Sequence, residues 1–153
     1  MGPSCDGNPV PAIRKMSCAI HSSCVSYGAS AVLITGNSGA GKSALALQLM
    51  ALGGVLIADD QTILTSGEAG VVATCPAAIV GQIEARGVGI LKAENRASAF
   101  VRLVVDLDKK ETNRLPEYRE IELLDHRIPL LHLAKSTHFP AAIIQILKGG
   151  IQI

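Results

Sequence analysis

Gly36-Asn37-Ser38-Gly39-Ala40-Gly41-Lys42-Ser43 satisfies the pattern G-x-x-x-x-G-K-[ST] at every position. Residues of these types at this spacing make a cradle for a polyphosphate. The glycines let the backbone turn with its N–H groups pointing inward, where they bond phosphate oxygens. A helix opening after Gly41 aims its positive end at the same anions. Lys42 supplies a mobile ammonium to the β- and γ-phosphates, and the Ser43 hydroxyl is placed to ligate Mg²⁺. As a loop cation, Lys42 is expected to be exposed and to contribute little to stability.

A second acidic element follows. Val55-Leu56-Ile57-Ala58 is an apolar run that delivers two carboxylates, Asp59 and Asp60. A carboxylate at a strand end beside a P-loop holds Mg²⁺ directly or through water. Its neighbour can accept a proton from a nucleophilic hydroxyl. Lys42 and Asp59 are 17 positions apart. One helix and a turn use up that interval, so the two strands flanking the helix are consecutive in the chain.

These groups need a scaffold of strands. Ala19 to Val25 alternates weakly and reads as a strand, Gly28 and Ser30 mark a turn, and Ala31 to Thr35 reads as a buried strand leading into the P-loop. Ser43 to Leu52 is rich in good helix formers, with Gly53 and Gly54 to end it. Thr62 to Thr65 and Val71 to Thr74 read as a hairpin, which adds antiparallel pairing and predicts an α/β fold with a mixed sheet. Pro76 to Ile83 is expected to hold a short helix, and the glycine-punctuated Glu84 to Leu91 to form a loop. Ala99 to Leu107, Arg119 to Leu124 and Leu130 to Leu133 read as further strands. For Ala141 to Leu147 the pattern fits strand and helix alike. Residues 1–16, with Gly2, Pro3, Gly7, Pro9 and Pro11, read as a flexible leader, and 17–153 as one domain.

Composition narrows the partners. The net charge of +1 gives no electrostatic case for nucleic acid. Aromatic residues make up only 3% of the chain, with no Trp, so the core must be built from Leu, Ile, Val and Ala. The longest apolar stretch, Ala44 to Ala58, is interrupted by Gln48, Gly53 and Gly54 and is too short to span a bilayer. Cys5, Cys18, Cys24 and Cys75 form no C-x-x-C pair. They read as reduced thiols, and a cytoplasmic location is expected.

Four segments together resemble the HPr kinase/phosphorylase family, in a short form without an N-terminal domain. They are the P-loop, the Leu56-Ile57-Ala58-Asp59-Asp60 strand end, Ile83-Glu84-Ala85-Arg86-Gly87-Val88-Gly89-Ile90-Leu91, and Asn113-Arg114-Leu115-Pro116. The third is similar to the family signature E-x-R-G-x-G-I. His21 also resembles a family position. The resemblance implies a P-loop kinase fold of the HPr kinase/PEP carboxykinase type and an ATP- and Mg²⁺-dependent serine kinase acting on the phosphocarrier HPr, with phosphorolysis as a reverse reaction. It implies Lys42 for phosphate, Ser43 and Glu84 for metal, and Asp60 as base with Asp59 supporting metal and water. Arg86 and Arg114 would balance charge on the transferred group, and His21 would sit in the active site. It also implies a hexameric homo-oligomer. Two departures stand out: Ala44, where relatives often carry an acidic residue, and the small Ala85 within the signature. Two other readings share the P-loop: a kinase of a small molecule, and a nucleotide-binding regulator without phosphotransfer.

Overall fold

The computed structural model describes residues 16–151. All but the last residue of the expected leader lies outside that range. The chain runs β1 (Ser17–Tyr27), β2 (Ser30–Thr35), α1 (Lys42–Ala51), β3 (Val55–Ala58), β4 (Gln61–Gly67), β5 (Gly70–Thr74), β6 (Gln82–Ala85), β7 (Gly89–Lys92), β8 (Ser98–Lys110), β9 (Arg119–Leu123), β10 (His126–Leu133) and α2 (Phe139–Gly149). This is the α/β class with a mixed sheet that the sequence predicts.

Eight strands share one sheet. β2 pairs antiparallel with β1 and parallel with β8, and β8 continues in parallel to β10. The β4–β5 hairpin joins β1 to β8 by antiparallel pairs, so β2, β1, β4, β5 and β8 close into a ring. This arrangement explains the unbroken apolar run of β2. Val32 and Ile34 face the core beneath α1 and α2, whereas Ala31 and Leu33 face a second core inside the ring. All four are fully buried, because alternate side chains of a strand point to opposite faces and here both faces are covered. Strand β8 behaves in the same way. Its register against β2 slips at Arg102, so Ala99 and Val101 line the second core while Leu103, Val105 and Leu107 line the first.

Helix α1 buries Lys42, Leu45, Ala46 and Leu49, the spacing of one helical face. Its end is a Schellman motif. The Gly54 N–H donates to the Leu49 carbonyl and the Gly53 N–H to that of Met50, with Gly53 at φ 101°. The ambiguous C-terminal segment is a helix: Phe139, Ile143, Ile144 and Leu147 form its buried face.

Three expectations need correction. Only Ala77–Ile79 of the expected 76–83 helix is helical, as one 3₁₀ turn, after which the chain extends into β6. The 84–91 segment is a hairpin rather than a loop: β6 and β7 pair from Gln82 opposite Lys92 to Ala85 opposite Gly89. Alternation decides this, since Ile83 and Ala85 point into the core while Gln82 and Glu84 point out. Finally, Cys24 and Cys75 are free thiols but Cys18 is disulfide-bonded, against the expectation of reduced cysteines. Among the described residues no helix is long and apolar enough to cross a membrane.

Candidate active site

Gly36 to Ser43 joins β2 to α1, as the motif requires. A side chain at Gly36 would be strained by its φ of 150° and crowded, because a Cβ there would lie 3.0 Å from the Ala40 Cβ and 3.2 Å from the Leu107 Cβ. Gly41 is left-handed at φ 103° and precedes a helix whose first turn has no side-chain cap and no acidic residue. The leading N–H groups of α1 are therefore left for an anion. Lys42 departs from expectation. It is only 7% exposed, and its ammonium donates to the carbonyls of Gly36 (2.8 Å) and Asn37 (3.0 Å). The lysine opens α1 and folds back across the loop, which removes it from solvent.

Asp59 is the hub of the site. Oδ1 accepts hydrogen bonds from the hydroxyls of Ser43 and Ser23, both at 2.7 Å, and Oδ2 accepts the Glu84 N–H at 3.0 Å. A carboxylate only 6% exposed is thereby held by three donors from α1, β1 and β6. Such charge-assisted bonds offset the cost of burying the ion. The same charge acts on Cys75, whose thiol is pushed up first by burial and then by Asp59. That keeps it protonated and unreactive.

Asp60 differs in every respect from its neighbour. Its side chain is 72% exposed, and Oδ1 lies 3.3 Å from His21 Nδ1 on β1. Its backbone sits at φ 71°, and the Gln61 N–H donates across it to the Asp59 carbonyl at 2.8 Å. This is a γ-turn in the strained, positive-φ form. The turn is secured by the Ser22 N–H, which donates to the Asp60 carbonyl at 3.1 Å. Backbone strain of this kind concentrates where a side chain must be aimed. Here it turns two sequential carboxylates in different directions, one into the fold and one to solvent.

The other expected residues fall into two groups. Glu84 reaches the site through its backbone N–H, and its side chain is exposed on β6. Arg86 stands in the turn between β6 and β7, also exposed. Arg114 lies in the 111–118 connection between β8 and β9 and makes no hydrogen bond or ion pair with the P-loop or the aspartates. Among the described residues neither guanidinium has an ion-pair partner, and no cluster of three or more His, Cys, Asp or Glu side chains forms a metal cage.

Two residues of the site escaped sequence reasoning. Ser23 is a fully buried hydroxyl in the middle of β1, and its signal was a polar residue within an interior strand. Asp108, at the end of β8, receives the Asn37 N–H on both carboxylate oxygens, at 2.9 and 3.0 Å. The apolar run Leu103-Val104-Val105 leading to acidic residues was the available clue.

A family model described as HPr Serine kinase C-terminal domain matches residues 14–144. The chain belongs to that family. Within the HPr Serine kinase C-terminal domain family it is similar to the HPr kinase/phosphorylase of Aromatoleum aromaticum, 40% identical over 104 residues, covering 60% of this chain and 33% of the relative. It is 35% identical over 118 residues to the HPr kinase/phosphorylase of Xylella fastidiosa, covering 67% of this chain and 37% of the relative. The chain thus spans about a third of the length of these curated relatives. Its fold is similar to the solved Hpr(Ser) kinase/phosphatase from Coxiella burnetii, with a TM-score of 0.71 and 22% identity, covering 86% of this chain and 88% of that one.

Proposed function

We propose that this chain is an ATP- and Mg²⁺-dependent serine kinase domain acting on the phosphocarrier protein HPr, and that it works in the cytoplasm as a homo-oligomer. The observation that carries this reading is the Ser43–Asp59 bond of 2.7 Å beside an exposed Asp60. A P-loop hydroxyl anchored to a buried carboxylate, next to a free carboxylate, supplies what phosphoryl transfer requires: a fixed phosphate cradle and a base at its mouth.

The donor set fits Mg²⁺. Ser43 spends its hydroxyl proton on Asp59, which leaves the oxygen lone pairs free to face a hard cation. Mg²⁺ keeps several waters and binds chiefly through substrate phosphates plus one or two protein oxygens, so no all-protein cage is needed. When bound, it neutralises charge on the β- and γ-phosphates. Glu84 is assigned as the second protein ligand, with its exposed carboxylate on β6 one residue from the buried anchor Ile83.

Asp60 takes the proton from the serine hydroxyl of HPr as that oxygen bonds the γ-phosphorus, while the bond from phosphorus to the β–γ bridging oxygen breaks and ADP leaves. His21 holds the Asp60 carboxylate in direction. Lys42 leaves its carbonyl partners for the phosphates, and Arg86 and Arg114 take the equatorial oxygens, where negative charge is spread in the transition state. In the phosphorolysis that the relatives' name phosphorylase describes, an oxygen of inorganic phosphate bonds the phosphoserine phosphorus while the bond from phosphorus to the serine oxygen breaks; Asp60 returns a proton to that oxygen and pyrophosphate leaves.

The test is transfer of radiolabel from [γ-³²P]ATP to purified HPr. The wild-type chain should label HPr on serine, and Asp60→Asn should slow transfer by about two to four orders of magnitude, the usual worth of a general base, with ATP affinity little changed. Absence of label from HPr with wild-type protein, or equal rates in wild type and Asp60→Asn, would overturn the assignment.

A further inference from the structure

A cavity of about 410 Å³ lies at the opposite end of the sheet from the P-loop. The P-loop follows the carboxyl end of β2. This cavity is bounded instead by Ser30 at the amino end of that strand, by Arg102 near the amino end of β8 and by the first residues of β10. The β4–β5 turn and the last turn of α2 complete it. Val71, Val101, Ile128, Ile146 and Leu147 make its walls apolar. All of these but Ile146 are buried, so the core fixes them in place.

Two guanidinium groups, Arg102 and Arg127, stand at this apolar cavity, and both are exposed. Among the described residues no acidic side chain lines it; Glu68 and Asp125 are exposed in the adjoining turns but form no part of the wall. Arg127 already shares its charge with Glu120 at 3.5 Å. Arg102 is placed differently. It is the extra residue where β8 slips against β2, and a bulge of this kind re-aims a side chain. Its guanidinium lies over the Phe100 ring, 4.9 Å from the centroid. Stacking uses the face of the group and leaves its N–H edge free. Among the described residues that edge makes no hydrogen bond or ion pair.

We propose that this cavity binds a small organic monoanion, a carboxylate joined to an apolar body. The carboxylate takes the N–H fork of Arg102, and the body lies on Val71, Val101 and Ile128. Such a fork matches the two oxygens of a carboxylate, and a few placed polar groups in an apolar cleft are what orient a small ligand. Charge sets the valence. With Arg127 offset by Glu120, the charge of one guanidinium is left unmatched, which suits one negative charge rather than two. The other polar groups of the wall are already in use. His126 Nε2 is held by the Gly67 carbonyl at 3.0 Å and by Ser66 Oγ at 3.2 Å. At the end of α2 the Gly150 N–H donates to the Ile146 carbonyl at 2.7 Å, which removes that acceptor from the anion's path. The site stands apart from Gly36–Ser43 and does not rest on the nucleotide reading of that loop.

Amide NMR spectra of the isotope-labelled full chain, titrated with hexanoate, 1-hexanol and acetate, separate the charge from the apolar body. Hexanoate should shift the amides of Val71, Val101 and Arg102, and should bind about 10-fold or more tightly than hexanol or acetate. Arg102→Gln should lower hexanoate affinity about 10-fold, the effect of one charge-assisted hydrogen bond, and leave hexanol affinity unchanged. Arg127→Gln should lower it less, because Glu120 already shares that charge. Ala69→Trp, at an exposed position on the cavity wall, should block hexanoate while circular dichroism stays unchanged. Hexanoate binding no tighter than hexanol would overturn the assignment. So would shifts that fall outside the cavity, or an Arg102→Gln variant that binds hexanoate as wild type does.

Discussion

Removing one buried hydroxyl tests whether Asp59 is held as described. Ser23 is fully buried on β1 and donates to Asp59 Oδ1 at 2.7 Å. Ser23→Ala deletes this donor with almost no change of volume, so the cavity term is small. A hydrogen bond to a charged group contributes about 1.5–3 kcal/mol. Asp59 keeps two donors, Ser43 and the Glu84 N–H, and water has little access to a residue 6% exposed. The cost should therefore sit near the middle of the range, about 2 kcal/mol. For a domain of this size that is a fall in Tm of about 4–8 °C. Urea denaturation followed by circular dichroism gives the free energy, and a thermal scan gives the Tm. Ser23 touches Asp59 and not the P-loop itself, and Ser43 keeps its own bond to Asp59, so ATP affinity should change by less than the stability does. A loss below about 0.5 kcal/mol, the scatter of ordinary surface changes, would refute the view that three converging donors hold this carboxylate in the fold.

Lys42→Ala should abolish triphosphate binding by calorimetry. It should also lower stability by about 1–3 kcal/mol, because the buried ammonium bridges two loop carbonyls; unchanged stability would mean that those bonds are worth nothing in solution. Glu84→Gln should raise the Mg²⁺ concentration needed for transfer while leaving circular dichroism unchanged, since the bond that holds β6 to Asp59 uses the backbone N–H; an identical Mg²⁺ dependence removes Glu84 from the metal. Glu111 is the pH-dependent case. A hydrogen bond from Arg119, reinforced by N–H groups of Asn113 and Thr112, holds its carboxyl below the ordinary value of 4.5. A depressed carboxyl stabilises the fold above its ordinary value, and this contribution is lost as pH falls through the lower folded value. Wild type should therefore lose more stability than Glu111→Gln on acidification below pH 4.5; parallel melting-temperature curves would disprove it.

The P-loop, its strand and its helix were legible because a short contiguous motif sets their geometry. The Asp59–Asp60 pair was legible as an acidic strand end, and the family resemblance implied different roles for the two, but the inward turn of one and the exposure of the other were not legible in the spacing. Which carboxylate turns inward depends on a γ-turn at Asp60 and on Ser23, 36 residues away in sequence. The burial of Lys42 was missed for a related reason: a loop cation reads as solvated until the carbonyls that surround it are in place. The β6–β7 hairpin was obscured by Gly87 and Gly89, which read as loop punctuation, while only Ile83 and Ala85 carried the alternation. The contact of Asp108 with Asn37 spans 71 residues, and no local pattern encodes a meeting at that distance.

The three-way grip on Asp59 has a mechanical corollary. α1, β1 and β6 each own one of its donors, so the β6–β7 hairpin cannot swing away from the phosphate loop without costing a buried carboxylate one of its three hydrogen bonds. Hairpin and loop are thereby tied to each other through a single side chain. The gap between hairpin and loop is bounded by elements that share this one carboxylate.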